Sequence, residues 1–119
     1  MSLTFMAFNR TRGREVASRV VKAADGKSRA RGLLGRRAMA PGEGLWIVPC
    51  PMIHTFFMRF PIDVLFLDRG LKVVRVMENL RPWRLSPWVW RAHSVLELAG
   101  RALGGCVKAG DQLEMRGES

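Results

Sequence analysis

Apolar residues in this chain fall into short runs separated by turn signals, the pattern of many short strands. Leu3 to Phe8 alternates weakly and reads as an edge strand, followed by a basic turn through Arg14, and Val16 to Ala23 reads as a second strand. After the turn Asp25-Gly26-Lys27-Ser28, Ser28 is a candidate N-cap. Ala30, Leu33 and Leu34 then recur at the i, i+3, i+4 spacing of a short amphipathic helix stopped near Gly35. Pro41-Gly42-Glu43-Gly44 is a turn, Leu45-Trp46-Ile47-Val48 a short strand closed by Pro49 and Pro51, and Thr55 to Met58 a further strand.

Ile62 to Leu67 contains the unbroken run Val64-Leu65-Phe66-Leu67 and reads as a strand buried on both faces. Asp68-Arg69-Gly70 turns it into Leu71 to Met77, the clearest hairpin of the chain. A loop from Glu78 to Arg91, a strand from Ser94 to Leu98, a helical turn over Ala102 to Cys106 and a closing strand from Gln112 to Met115 complete the pattern, with 116–119 as a tail. Together these predict a mostly β (α+β) fold, a small antiparallel β-barrel or sandwich of short strands with one or two short helices.

Chemistry-bearing residues concentrate where the chain is most apolar. Between Cys50 and Asp68, the polar residues His54, Thr55, Arg59 and Asp63 stand among hydrophobic neighbours. Burying such groups without partners costs about 2–7 kcal/mol even for a neutral one, so they are either satisfied internally or line a site. If the chain turns at Pro61, Arg59 and Asp63 can meet as an ion pair. Alternatively they flank a polar pocket with His54 and Thr55. Glu97 is a further carboxylate in an apolar strand, though alternation can face it outward. Cys50 and His54, with His93 or Asp63, offer metal-ligating atoms, but Cys-x-x-Cys and His-x3-His units are missing, and neither a metal nor a cofactor is expected. A Cys50–His54 nucleophile pair oriented by Asp63 or Glu97 lacks a glycine-rich oxyanion loop, and no catalytic residue is assigned.

Charge changes the picture. The 119 residues carry 20 Lys and Arg against 10 Asp and Glu, a net charge of +10. Ten of the basic residues lie between Arg10 and Arg37, against the two acids Glu15 and Asp25. On the expected helix, Arg29, Arg31, Arg36 and Arg37 crowd the outer face and suit contact with an anionic partner, either nucleic acid or an acidic protein surface. In the loop 81–91, Trp83, Arg84, Trp88 and Trp90 interleave rings and guanidinium groups, as in single-strand nucleic-acid binders; the alternative is a lid of tryptophans over the barrel end. The hydrophobic fraction of 48% suits one folded domain over 1–119, no apolar run reaches bilayer length, and the start lacks the marks of a signal peptide, so a soluble cytoplasmic protein is expected. Cys50 and Cys106 make no disulfide framework and read as small buried hydrophobes, their pairing left open.

The stretch Cys50 to Asp68, with Ala30-Arg31-Gly32-Leu33-Leu34-Gly35-Arg36 upstream and Val95-Leu96-Glu97-Leu98 then Ala109-Gly110-Asp111 downstream, resembles the DUF192 family, also called UPF0127, from about Val16 to Met115. Met58-Arg59-Phe60-Pro61-Ile62-Asp63 is similar to the shorter variant of that family's motif. The resemblance implies a small β-rich fold of barrel or jelly-roll type and supplies no established activity or catalytic residue. Three function classes follow: a noncatalytic binding or accessory domain with a polar pocket around His54, Arg59 and Asp63, ranked first; a single-stranded nucleic-acid binder using the basic face and the loop 81–91; and a hydrolase-type enzyme. Ligand and oligomeric state are not read from the residues.

Overall fold

Seven strands account for the apolar runs in a computed structural model that describes residues 4–25 and 32–118. They are β1 (Thr4–Asn9), β2 (Arg14–Ala23), β3 (Glu43–Ile47), β4 (Ile62–Leu67), β5 (Val73–Leu80), β6 (Ser94–Ala99) and β7 (Leu113–Glu118). They form one sheet in the order β5-β4-β6-β3-β2-β1-β7, antiparallel throughout except for β2 beside β3. The sheet curls into a half-barrel. Its outer strands approach each other where Val73 N–H donates to Asp111 O at 2.8 Å and Leu113 N–H to Leu71 O at 2.9 Å.

Two separate apolar clusters follow from the period-two alternation of the central strands. Leu65 and Leu67 of β4, with Leu96 and Leu98 of β6, join Ala7, Ala17, Val20, Val73 and Leu113. Ile62, Val64 and Phe66, with Val95, join Ala23, Ile47 and residues from outside the sheet, including Leu33, Met39, Ile53 and Met58. Every residue of β4 is therefore buried, as its unbroken apolar run predicts. Irregular segments cover the second face of the sheet, so the outward side that alternation would give Glu97 does not exist.

Several expectations are corrected. β1 pairs with β2 on one side and β7 on the other, so it is an interior strand and not an edge. Neither expected helix is found: residues 32–35 are turn, with Gly32 and Gly35 at φ 46° and 83°, and Ala102 to Cys106 makes only turns closed by Ala102 N–H to Ala99 O and Cys106 N–H to Leu103 O. Such positive φ values break a right-handed helix within four residues. Ser28 and Ala30, with Arg29 and Arg31, lie outside the described residues. Thr55 to Met58 is not a strand; its neighbourhood makes a single bridge, His54 with Leu85. β5 continues to Leu80, into the expected loop, and β7 continues to Glu118, into the expected tail.

Candidate functional site

Asp63 is fully buried on β4, and its carboxylate is spent on backbone. Oδ1 accepts Asn79 N–H at 2.7 Å and Arg101 N–H at 3.0 Å, while Oδ2 accepts Leu103 N–H at 2.9 Å. Asn79 and Arg101 sit at φ 54° and 71°, so one carboxylate fixes two left-handed turns at the end of the sheet. Arg59 is exposed and makes no ion pair with Asp63. The structure thus separates these two residues, and Asp63 has few lone pairs left for a ligand.

His54, Thr55 and the tryptophan loop do come together. Residues 50–58 and 81–93 run antiparallel, tied by Thr55 N–H to Arg84 O, Trp83 N–H to Thr55 O, Ser86 N–H to Ile53 O, Val89 N–H to Pro51 O and Cys50 N–H to His93 O. Buried Thr55 and Ser86 act as pins. The Thr55 hydroxyl donates to Arg81 O at 2.6 Å and accepts Arg84 N–H at 2.8 Å; Ser86 Oγ accepts Ile53 N–H at 2.9 Å. Ile53, Met58 and Val89 turn inward onto the second cluster. What is left outside is aromatic: His54 stacks on Phe56 with centroids 5.0 Å apart, Phe56 lies 6.2 Å from Trp83, and Phe57 lies 4.6 Å from Trp83. Trp83 is 56% exposed, Phe57 70%, Trp88 64% and Trp90 87%, a continuous set of large rings that folding does not hide.

Electrostatics sharpen this surface. Residues 50–62 and 79–96 contain no Asp or Glu but hold Arg59, Arg81, Arg84 and Arg91, all exposed. None of the four enters an ion pair with a described residue. Elsewhere the basic residues are more often engaged. Arg36 makes a bidentate pair with Glu43, and Arg116 lies over the Phe8 ring at 4.1 Å. Arg12 meets Asp111 at 2.7 Å. Burial pushes the Asp111 carboxyl up, but the Arg12 guanidinium, Lys108 N–H and the Asn9 amide outweigh it and hold the group at about 2. Arg37 is exposed. Of the cations expected on the first basic stretch, Arg36 is therefore neutralised within the fold, and the unpaired arginines stand beside the rings.

Glu97 lies in the second cluster's face of β6, 4% exposed and without a hydrogen bond from any described residue. Burial alone raises its carboxyl from 4.5 to about 7. Cys50 and Cys106 are not bridged: Cys50 Sγ donates to Met52 O at 2.9 Å and Cys106 Sγ lies 3.3 Å from Arg14 Nη1. Among the described residues, no three His, Cys, Asp or Glu side chains are placed to hold a metal ion, and no helix is long and apolar enough to cross a membrane. Sequence reasoning found the tryptophans and Arg84 but missed Phe56, Phe57, Arg81 and Arg91 as neighbours; the acid-free composition of both segments was the available signal.

Comparison with known proteins places this geometry. The family model DUF192, uncharacterized ACR, matches residues 7–115. UPF0127 protein PH1112 of Pyrococcus horikoshii is 47% identical over 45 residues, 38% of this chain and 38% of that protein, so the match spans well under half of the relative's length. A crystal structure of a protein from Sinorhizobium meliloti 1021, proposed to be a transcription regulator, superposes with a TM-score of 0.78 at 26% identity over 97% of this chain and 94% of that one. A protein of unknown function from Novosphingobium aromaticivorans superposes with a TM-score of 0.77 at 23% identity, over 96% of this chain and 84% of that one, and shares the fold.

Proposed function

Because the chain belongs to the DUF192 family, which is described only as uncharacterized, we propose its function from its own surface: a noncatalytic binding domain whose recognition surface is the arginine-flanked aromatic shelf of residues 54–59 and 81–91, and whose partner is single-stranded nucleic acid. One observation carries this reading, the coincidence of exposed rings with four unpaired arginines and no acid in the two segments that bear them. Rings supply stacking platforms for bases, at about 1–3 kcal/mol each, and guanidinium groups neutralise phosphates. Thr55 and Ser86 fix both segments before binding, which lowers the ordering cost on association. His54 and Arg59 of the polar pocket expected from the sequence belong to this shelf; Asp63 supports it from below through the turn at Asn79. The regulatory role proposed for the Sinorhizobium relative agrees with a nucleic-acid partner.

The test is a titration of tryptophan fluorescence with an oligothymidylate at several salt concentrations. Saturable quenching is expected, with log affinity falling against log salt by about 0.7 for each phosphate engaged. Trp83→Ala should weaken binding about 5- to 100-fold, the equivalent of one lost stacking contact. Arg84→Ala should lower the salt slope by the share of one phosphate. Absence of quenching at low salt, or full affinity in both variants, overturns the proposal.

A further inference from the structure

The sheet pairing places five residues in one row across the strands: Val21 beside Leu45, Leu45 beside Glu97, Glu97 beside Val64, and Val64 beside Met77. Directly paired residues point to the same face, so a carboxyl stands in the middle of an otherwise apolar row. Over this face lie Leu33, Met39, Ile53 and Met58. Glu97 is 4% exposed, yet no described N–H, hydroxyl or cation approaches its oxygens within hydrogen-bonding distance. Asp63, two strand positions away across β4, shows what this fold does with a buried carboxylate held for structure: three amides converge on it. Nothing converges on Glu97. A leucine there would serve packing better, because an unpaired buried carboxyl costs several kcal/mol and a hydrophobe of similar volume costs none of it. A polar group kept at such a cost within an apolar face is the mark of a ligand site.

We propose that this inner face holds a second binding site, centred on Glu97, for a compact apolar molecule bearing a cationic amine or amidine head. The head supplies the hydrogen-bond donors and the positive charge that the fold withholds from Glu97. The apolar body lies along Leu45, Val64 and Met77 under the cover. Met39, Met58 and Met77 surround it with unbranched thioether side chains that repack around a guest at small cost. This site is independent of the aromatic shelf, which lies on the outer side of the covering segments.

Methyl-labelled methionine NMR of the whole chain tests it, with benzylamine as the probe and benzoate as the control of opposite charge. Benzylamine should shift the methyl signals of Met39, Met58 and Met77 saturably, and benzoate should leave them in place. Glu97→Gln keeps the side-chain shape and should weaken the amine at least tenfold, with its dispersed spectrum showing that the fold persists. Unmoved methyl signals, equal response to benzoate, or unchanged amine affinity in Glu97→Gln overturns the proposal. Should that variant fail to fold, Val64→Phe fills the same face without touching the carboxyl; it should abolish the benzylamine shifts, and retention of them is contrary to the site.

Discussion

Replacing Asp63 separates a structural carboxylate from a ligand-facing one. In Asp63→Ala three backbone N–H groups, of Asn79, Arg101 and Leu103, lose their acceptor together. Leu103 is buried and the site admits no water to replace the fully buried side chain. Each abandoned amide costs about 1–3 kcal/mol, so the variant should lose about 3–6 kcal/mol, a large part of the about 5–15 kcal/mol that holds a typical domain. Asp63→Asn should fall between the two. Its remaining oxygen can still serve Asn79 and Arg101, whereas its NH₂ group faces the Leu103 N–H donor to donor. Urea unfolding followed by tryptophan fluorescence reads the difference, with the midpoint shifting and the slope held. A loss below about 1 kcal/mol in Asp63→Ala would refute the reasoning and return Asp63 to the role of a pocket carboxylate.

Other predictions concern the two perturbed carboxyls and one crowded glycine. The Glu97 carboxyl binds its proton more tightly folded than unfolded, so stability should be full below about 4.5, fall as pH rises toward about 7 and then level, a total loss of about 3 kcal/mol that Glu97→Gln removes. Unfolding free energies measured across that range check it, and an unchanged slope in Glu97→Gln contradicts it. Asp111 has the opposite sign: its carboxyl is held at about 2 against an ordinary 3.8, so its contribution is complete above about 4 and disappears as pH falls toward 2. Arg12→Ala should move the acid unfolding transition to higher pH, followed by circular dichroism. At Gly44 a Cβ would lie 3.1 Å from Leu98 Cδ2 and 3.2 Å from both Leu96 Cδ1 and Val20 Cγ2, so Gly44→Ala should cost about 1–3 kcal/mol by overpacking, measured as a lower melting temperature.

What the sequence discloses depends on how local the cause is. β4 and its hairpin are legible because an unbroken apolar run and Asp68-Arg69-Gly70 act over adjacent residues; Asp68 Oδ1 indeed caps Gly70 and Lys72 N–H at 2.9 Å. The partners of Asp63 are not legible, since they come from backbone at positions 79, 101 and 103, and proximity in sequence suggested Arg59 instead. Thr55 to Met58 carries the composition of a strand but adopts φ 65° at Phe57, where the hydrogen bonds of Thr55 to the 81–84 segment override the local preference. Glu97 was assigned a solvent side by alternation, an argument that holds only when one face of a sheet is wet. Here both faces are packed. The tryptophans were visible at once, but their alignment with Phe56, Phe57 and His54 required the pairing of two segments nearly 30 residues apart.

The shelf is tested most directly by indole N–H NMR, because the chain carries its own control. Trp46 is partly buried, with Nε1–H donating to Ser94 Oγ at 3.0 Å and its ring edge-on to Phe5, whereas Trp83, Trp88 and Trp90 project from the shelf. On adding an oligothymidylate, the account predicts saturable shifts of the three shelf indoles and a stationary Trp46 signal. Uniform shifts of all four, or none at low salt, would contradict it.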